Sequence, residues 1–192
     1  MNKIFYLWVV LSMATTTFAQ SAKTMDKKES NPKILVAYFS ATGTTARAAR
    51  TVANISGGEL YTITPEKPYT DADLNWNNKK SRSSVEMNNP KARPTLGGKK
   101  LDISNYDVIF IGYPIWWNLA PRIINTFIES QEWKGKIIIP FATSGSSSIT
   151  NSVAQLKQSY PDFDWKEGKL LNRADENIIH TWIQKTTELL KK

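Results

Sequence analysis

The stretch Lys33-Ile-Leu-Val-Ala-Tyr-Phe39, followed directly by Ser40-Ala-Thr-Gly-Thr-Thr45, decides how the rest of the chain is read. Residues 33–39 form an apolar, β-branched run bounded by Pro32 and Ser40, the pattern of a buried strand. From Thr44 to Ile55, alanines and Val52 recur at helical spacing, and Gly57-Gly58 supplies a stop signal. A strand that enters a helix through such a loop leaves the first N–H groups of the helix free. Together with the helix dipole they make an anion site, and the Ser and Thr hydroxyls add further donors. The loop lacks the lysine of a P-loop, so a triphosphate with Mg²⁺ fits poorly. A phosphate monoester held by neutral donors fits better. An ordinary capped helix start is the alternative for this loop taken alone.

Working outward, Glu59–Thr64 reads as a short alternating strand. A long connection follows from Pro65 to Asn105, with a helix expected somewhere in Asp71–Met87. Tyr106–Gly112 (YDVIFIG) is a second central strand, and Leu119, Ile123, Ile124, Phe127 and Ile128 mark one face of a helix. Lys136–Phe141 (KIIIPF) is a third apolar strand, Ile149–Tyr160 can be helical, and Phe163–Leu171 holds a last, weaker strand. Ile178, Ile179, Trp182, Ile183, Leu189 and Leu190 give the final helix a buried stripe. Strands that are apolar throughout and alternate with helices predict a parallel sheet covered on both faces. The expected fold is α/β: a three-layer sandwich around a five-stranded parallel sheet of order 2-1-3-4-5. In such a sheet a ligand sits beyond the carboxyl ends of the strands, where the strand order reverses.

Three loops therefore carry the chemistry. Ser40–Thr45 resembles the flavodoxin phosphate loop, Ser/Thr-x-Thr-Gly-x-Thr after the first strand. The resemblance implies that Ser40, Thr42, Gly43, Thr44 and Thr45 hold the phosphate of FMN. The second loop, Pro114-Ile115-Trp116-Trp117-Asn118, resembles the Gly-Tyr-Pro-Ile-Trp-Trp stretch of flavodoxin-like oxidoreductases of the NAD(P)H-dehydrogenase type. By that resemblance Pro114, Ile115, Trp116, Trp117 and Asn118 line the flavin ring, with backbone N–H groups meeting N5 and O4. Two adjacent Trp at the mouth of a sheet need packing partners, and a flat isoalloxazine is one; covering the sheet edge is the alternative for one of them. The third loop begins Thr143-Ser144-Gly145, whose small and hydroxyl residues permit close backbone approach to a flat ligand. The family also contacts flavin at this position. The resemblance covers nearly all of Lys33–Leu190.

The ends and the charge bound the function. Lys3, the apolar run Ile4–Leu11 and the small residues Thr17-Phe18-Ala19 read as a signal peptide over residues 1–19, which predicts export to the periplasm or beyond. Residues 20–32 are a polar tether, and residues 33–192 make one flavodoxin-like domain. The chain has no Cys, which excludes a disulfide, a Cys-ligated metal and a lipid-modified Cys, and no metal site is assigned. The formal net charge is +8, and Lys79–Lys100 alone carries 7 − 1 = +6. That segment is a candidate docking surface for an anionic surface or acidic partner, or simply a solvated connection. Nucleic acid is not expected, because no binding motif accompanies the charge.

Hydride transfer through a flavin demands no side-chain acid or base. Catalytic residues are therefore left unassigned, with Tyr113 and Asn118 the nearest candidates to donate or orient a proton. His180, the only His, falls on the final helix, away from the three loops. The resemblance implies an FMN-dependent oxidoreductase that reduces a quinone or similar small acceptor. A one-electron carrier working with a redox partner protein is the alternative, and a non-redox binding module a third. Carriers of this kind are usually strongly acidic, and this chain is basic. Many relatives with this architecture form homodimers that close the flavin site.

Overall fold

The computed structural model describes residues 31–172 and 175–188, all within one compact unit, Asn31–Lys192. The expected signal segment and most of the tether lie outside the described residues, as do Leu189 and Leu190.

The chain runs β1 (Ile34–Tyr38), α1 (Thr44–Ser56), β2 (Glu59–Thr62), β3 (Thr64–Pro65), α2 (Arg82–Asn88), β4 (Leu96–Gly97), β5 (Val108–Pro114), α3 (Arg122–Glu129), β6 (Ile137–Thr143), α4 (Thr150–Ser159), β7 (Asp164–Trp165), β8 (Lys169–Leu170) and α5 (Glu176–Glu188). The main sheet has the order β2-β1-β5-β6-β7, with β8 also paired to β6, and each of these pairings is parallel. This is the expected 2-1-3-4-5 order, flavodoxin-like and doubly wound.

Alternate residues of the central strands feed two separate cores. Leu35, Ala37, Ile109, Ile111 and Ile138 pack with Ile123, Ile124, Phe127 and Ile128 of α3 and Leu156 of α4. On the opposite face Val36, Phe110, Ile139 and Phe141 meet Ala48, Ala49, Val52 and Ala53 of α1 and Ile179, Trp182 and Ile183 of α5. Burial on both faces explains why these strands read as continuous apolar runs. Each fully buried Leu, Ile or Phe contributes roughly 1.5–3 kcal/mol.

Two expectations need correction. The sheet has six strands rather than five, because the last one divides into β7 and β8. Pro140 is the cause. The carbonyls of Ile138 and Ala142 accept from Lys166 and Leu171 on that edge, so position 140 faces the same way, and proline has no N–H to donate there. The helix expected somewhere in Asp71–Met87 is α2, Arg82–Asn88, and the connection also holds a short antiparallel pair, β3 with β4, that was not anticipated. Ile178 is not part of the buried stripe of α5; it is 47% exposed, about 100° around the helix from Ile179.

The long connection is tied down by side chains far apart in sequence. Arg82 pairs with Glu86 at 2.7 Å and lies over the Tyr69 ring, whose hydroxyl donates to Glu86. Arg122 of α3 donates to the Met87 carbonyl at 3.0 Å. Arg93 grips Glu129 through two hydrogen bonds, of 2.7 and 2.8 Å. Those bonds are the main reason the Glu129 carboxyl is held below its ordinary pKa, with Tyr160 adding a further donor. A carboxylate depressed in the folded state stabilises fully above its unfolded value, about 4.3, and that stabilisation is lost as pH falls through the folded value. Arg93→Ala should therefore shift the acid-unfolding midpoint upward. The loss should be fullest at neutral pH, where a partly exposed pair contributes about 0–1 kcal/mol, and should shrink as pH falls through the folded Glu129 value. Circular dichroism followed over a pH series checks this.

Candidate functional site

The three loops converge at the carboxyl ends of β1, β5 and β6, beside the reversal of strand order between β1 and β5. Two adjoining clefts share Thr42, Pro114, Ile115, Trp116, Ser144 and Gly145. One, of about 610 Å³, is walled by Trp116 and Trp117 and by Leu74, Trp76 and Ser83 from the long connection. The other, of about 770 Å³, is more polar and lies against Thr42, Thr44, Arg47, Thr143 and Asn172.

At the polar end the local chemistry is that of an anion cradle. Gly43 caps α1 with φ 86° and no side chain bonds to the helix start; that left-handed conformation is one glycine adopts without strain. The first N–H groups of α1 thus have no intrahelical partners. Ser40 Oγ accepts from the Gly43 N–H at 3.1 Å and so shapes the loop from within. Thr45 Oγ1 and Thr143 Oγ1, both buried, are 2.8 Å apart and join the first loop to the third. Ser144 N–H donates to Asn172 Oδ1 at 2.6 Å, and the Ser144 hydroxyl accepts from Ser147 N–H at 2.9 Å.

At the other end the two Trp play different parts. Trp116 is half-buried and packs edge-on against Phe39 and Tyr69, with ring centroids 5.6 and 5.2 Å away. Trp117 is 42% exposed. Trp116 and Leu119 exchange backbone hydrogen bonds of 3.0 and 2.9 Å around Trp117 and Asn118, which have φ of 48° and 62°. This is a two-residue turn with both central residues left-handed. Asn adopts that conformation readily, whereas a Trp held there is strained by about 1–2 kcal/mol. Asn151 Nδ2 braces the turn by donating to the Asn118 carbonyl at 3.0 Å.

Of the residues selected from sequence, Thr42, Thr44, Pro114, Ile115, Trp116, Trp117, Asn118, Thr143, Ser144 and Gly145 line the clefts. Ser40, Gly43 and Thr45 do not line the clefts; the Ser40–Gly43 bond and the Thr45–Thr143 bridge hold the first loop in shape. Tyr113, a candidate proton donor, is fully buried with its hydroxyl 3.1 Å from Ser152 Oγ, and burial pushes its pKa upward, so it is not placed to serve the cleft. His180 is exposed on α5.

Arg47, Asn172, Leu74, Trp76 and Ser83 also line the clefts and were not among the residues selected from sequence. Arg47 was within reach, because it stands three residues after Thr44 and so shares its helix face. Among the described residues no ion pair engages its guanidinium. The anion cradle therefore includes a cation beside its neutral donors.

A doubly wound sheet with a phosphate-type cradle next to an aromatic-walled cleft defines a flavodoxin-like protein. The chain belongs to the flavodoxin family, whose model matches residues 33–186. Among solved structures it is similar to a candidate flavoprotein from Bacteroides eggerthii at 65% identity, covering 82% of this chain and 99% of that one, with a TM-score of 0.79. A second candidate flavoprotein, from Bacteroides uniformis, is 57% identical over 81% of this chain and 99% of that one, TM-score 0.78. A flavoprotein from Lactobacillus acidophilus in complex with FMN shares the fold at 21% identity, covering 79% and 98% of the two chains, TM-score 0.62. No curated protein gave a match.

Proposed function

We propose that this flavodoxin-family chain is an FMN flavoprotein that reduces a small flat acceptor, such as a quinone, through the non-covalently held flavin. The observation that carries the cofactor assignment is the meeting of an uncapped α1 start with a tryptophan-walled cleft in one continuous site. The donor set fits the group: hydroxyls, free N–H groups and Arg47 at one end, apolar walls at the other. The L. acidophilus neighbour, which shares the fold, was solved with FMN, which supports the same assignment here.

In this scheme Thr42, Thr44 and the first N–H groups of α1 bind the phosphate, and Arg47 balances its charge. Trp116 and Trp117 orient the ring and keep water from one side of it. Ser144 and Gly145 let backbone approach the ring edge. Bound FMN supplies the electron chemistry, leaving position and electrostatics to the protein.

Flavodoxin is also a family of one-electron carriers, so the carrier is the second reading. Anaerobic titration of the FMN-loaded protein with a reductant separates them. A single two-electron step supports the reductase; two resolved one-electron steps favour the carrier.

We further propose that residues 1–19 direct export and are removed, which N-terminal mass determination of the secreted form tests by finding Gln20 first. Beyond the cytoplasm NAD(P)H is scarce, so the donor would be a membrane quinol or another redox protein. Five of the seven cations of Lys79–Lys100 serve as the docking surface in this proposal, because Arg82 and Arg93 already pair with Glu86 and Glu129.

A further inference from the structure

Ser83 belongs to the second residue of α2 and contributes to the wall of the ring-side cleft. It is 1% exposed, and its Oγ has no hydrogen-bond partner. Its neighbours in the same helix start are fully engaged. Ser81 Oγ donates to Ser84 Oγ at 2.8 Å and accepts from the Ser84 N–H at 3.3 Å. The Ser83 backbone is satisfied too, its N–H reaching the Asp73 carbonyl at 3.0 Å. Only the Ser83 hydroxyl is left over. A buried hydroxyl without a partner is costly to keep, and buried polar groups in native proteins are nearly always paired. The cleft wall to which it belongs carries apolar Leu74, Trp116 and Trp117 together with polar Asn118 and Ser144, and none of them bonds to the Ser83 hydroxyl.

We propose that Ser83 is a ring-binding residue, its hydroxyl hydrogen-bonding to the polar edge of the FMN isoalloxazine. This rests on the FMN reading above, and it adds a ligand contact from the long connection to those of the three loops. The connection then serves the site directly: Arg82 and Glu86, which flank Ser83 on α2, hold the helix against Tyr69, and Tyr69 packs on Trp116.

The test is Ser83→Ala in the full chain, titrated in parallel with FMN and with riboflavin, and melted without ligand. Loss of one neutral hydrogen bond should weaken both flavins by about threefold to tenfold. The two losses should be equal, because the contact is to the ring and not the phosphate. Without ligand the variant should melt at the same temperature as the parent or higher, since an unpaired buried hydroxyl has been removed. Unchanged flavin affinity would overturn the proposal, and so would weakening of FMN alone. A lower melting temperature without ligand would assign Ser83 a structural role instead and equally overturn it. If the parent protein takes up neither flavin, it is the FMN reading itself that fails, a result distinguishable from all of these.

Discussion

Gly112→Ala should lower the unfolding free energy by about 3 kcal/mol, at the upper end of what overpacking a core costs. Gly112 lies on β5 directly beside Phe141 of β6. A Cβ built at Gly112 would sit 2.1 Å from one ring carbon of Phe141 and 2.4 Å from another. The ring has nowhere to go, because Phe141 is completely buried in the core shared with α1 and α5. For a domain of this size a loss of 3 kcal/mol corresponds to a fall in melting temperature of about 6–12 °C. Scanning calorimetry reads it. The double variant Gly112→Ala with Phe141→Leu should recover part of the loss, since residues in contact are not additive. Independent effects would mean that the strand spreads to make room. The position matters for function because β5 runs on from Gly112 through Pro114 into the tryptophan turn.

The second large effect is expected at the anion cradle. Thr42→Ala combined with Thr44→Ala removes two hydroxyls that line the polar cleft. Hydrogen bonds to a charged group contribute roughly 1.5–3 kcal/mol each, so FMN affinity should fall at least about a hundredfold. Riboflavin, which lacks the phosphate, should bind the variant and the parent alike. Isothermal titration with both ligands checks this, and an equal loss for the two would move the hydroxyls away from the phosphate. Neither substitution touches the Thr45–Thr143 bridge or the Ser40 bond that shape the loop, so the fold should be retained.

The elements legible in the sequence were those whose fate is decided locally. Residues 33–39, 106–112 and 136–141 were readable as central strands because burial on both faces leaves no polar alternation, and their loops followed from the helix starts behind them. The uncapped helix start after the first loop could be read for the same reason: strand, glycine and helix start are contiguous. What the sequence concealed is non-local. Pro140 was visible in KIIIPF, but its consequence, the division of the last strand, depends on which edge of β6 position 140 faces. The long connection has little pattern of its own. Its course is set by Arg82, Arg93 and Arg122 meeting partners up to 36 residues away. Trp76, Leu74 and Ser83 reach the cleft only through that path, so nothing in their immediate sequence marked them. The charge count was similarly deceptive, since two of the seven cations in Lys79–Lys100 turned out to hold the connection in place.

The most direct test of the central claim is an equilibrium titration of the purified protein with FMN and, in parallel, with riboflavin, followed by tryptophan and flavin fluorescence. The site described above predicts uptake of one FMN per chain with strong quenching by Trp116 and Trp117, and markedly weaker uptake of riboflavin. A protein that takes up no FMN, or that holds the two flavins equally well, would contradict the joining of phosphate cradle and aromatic cleft into one cofactor site.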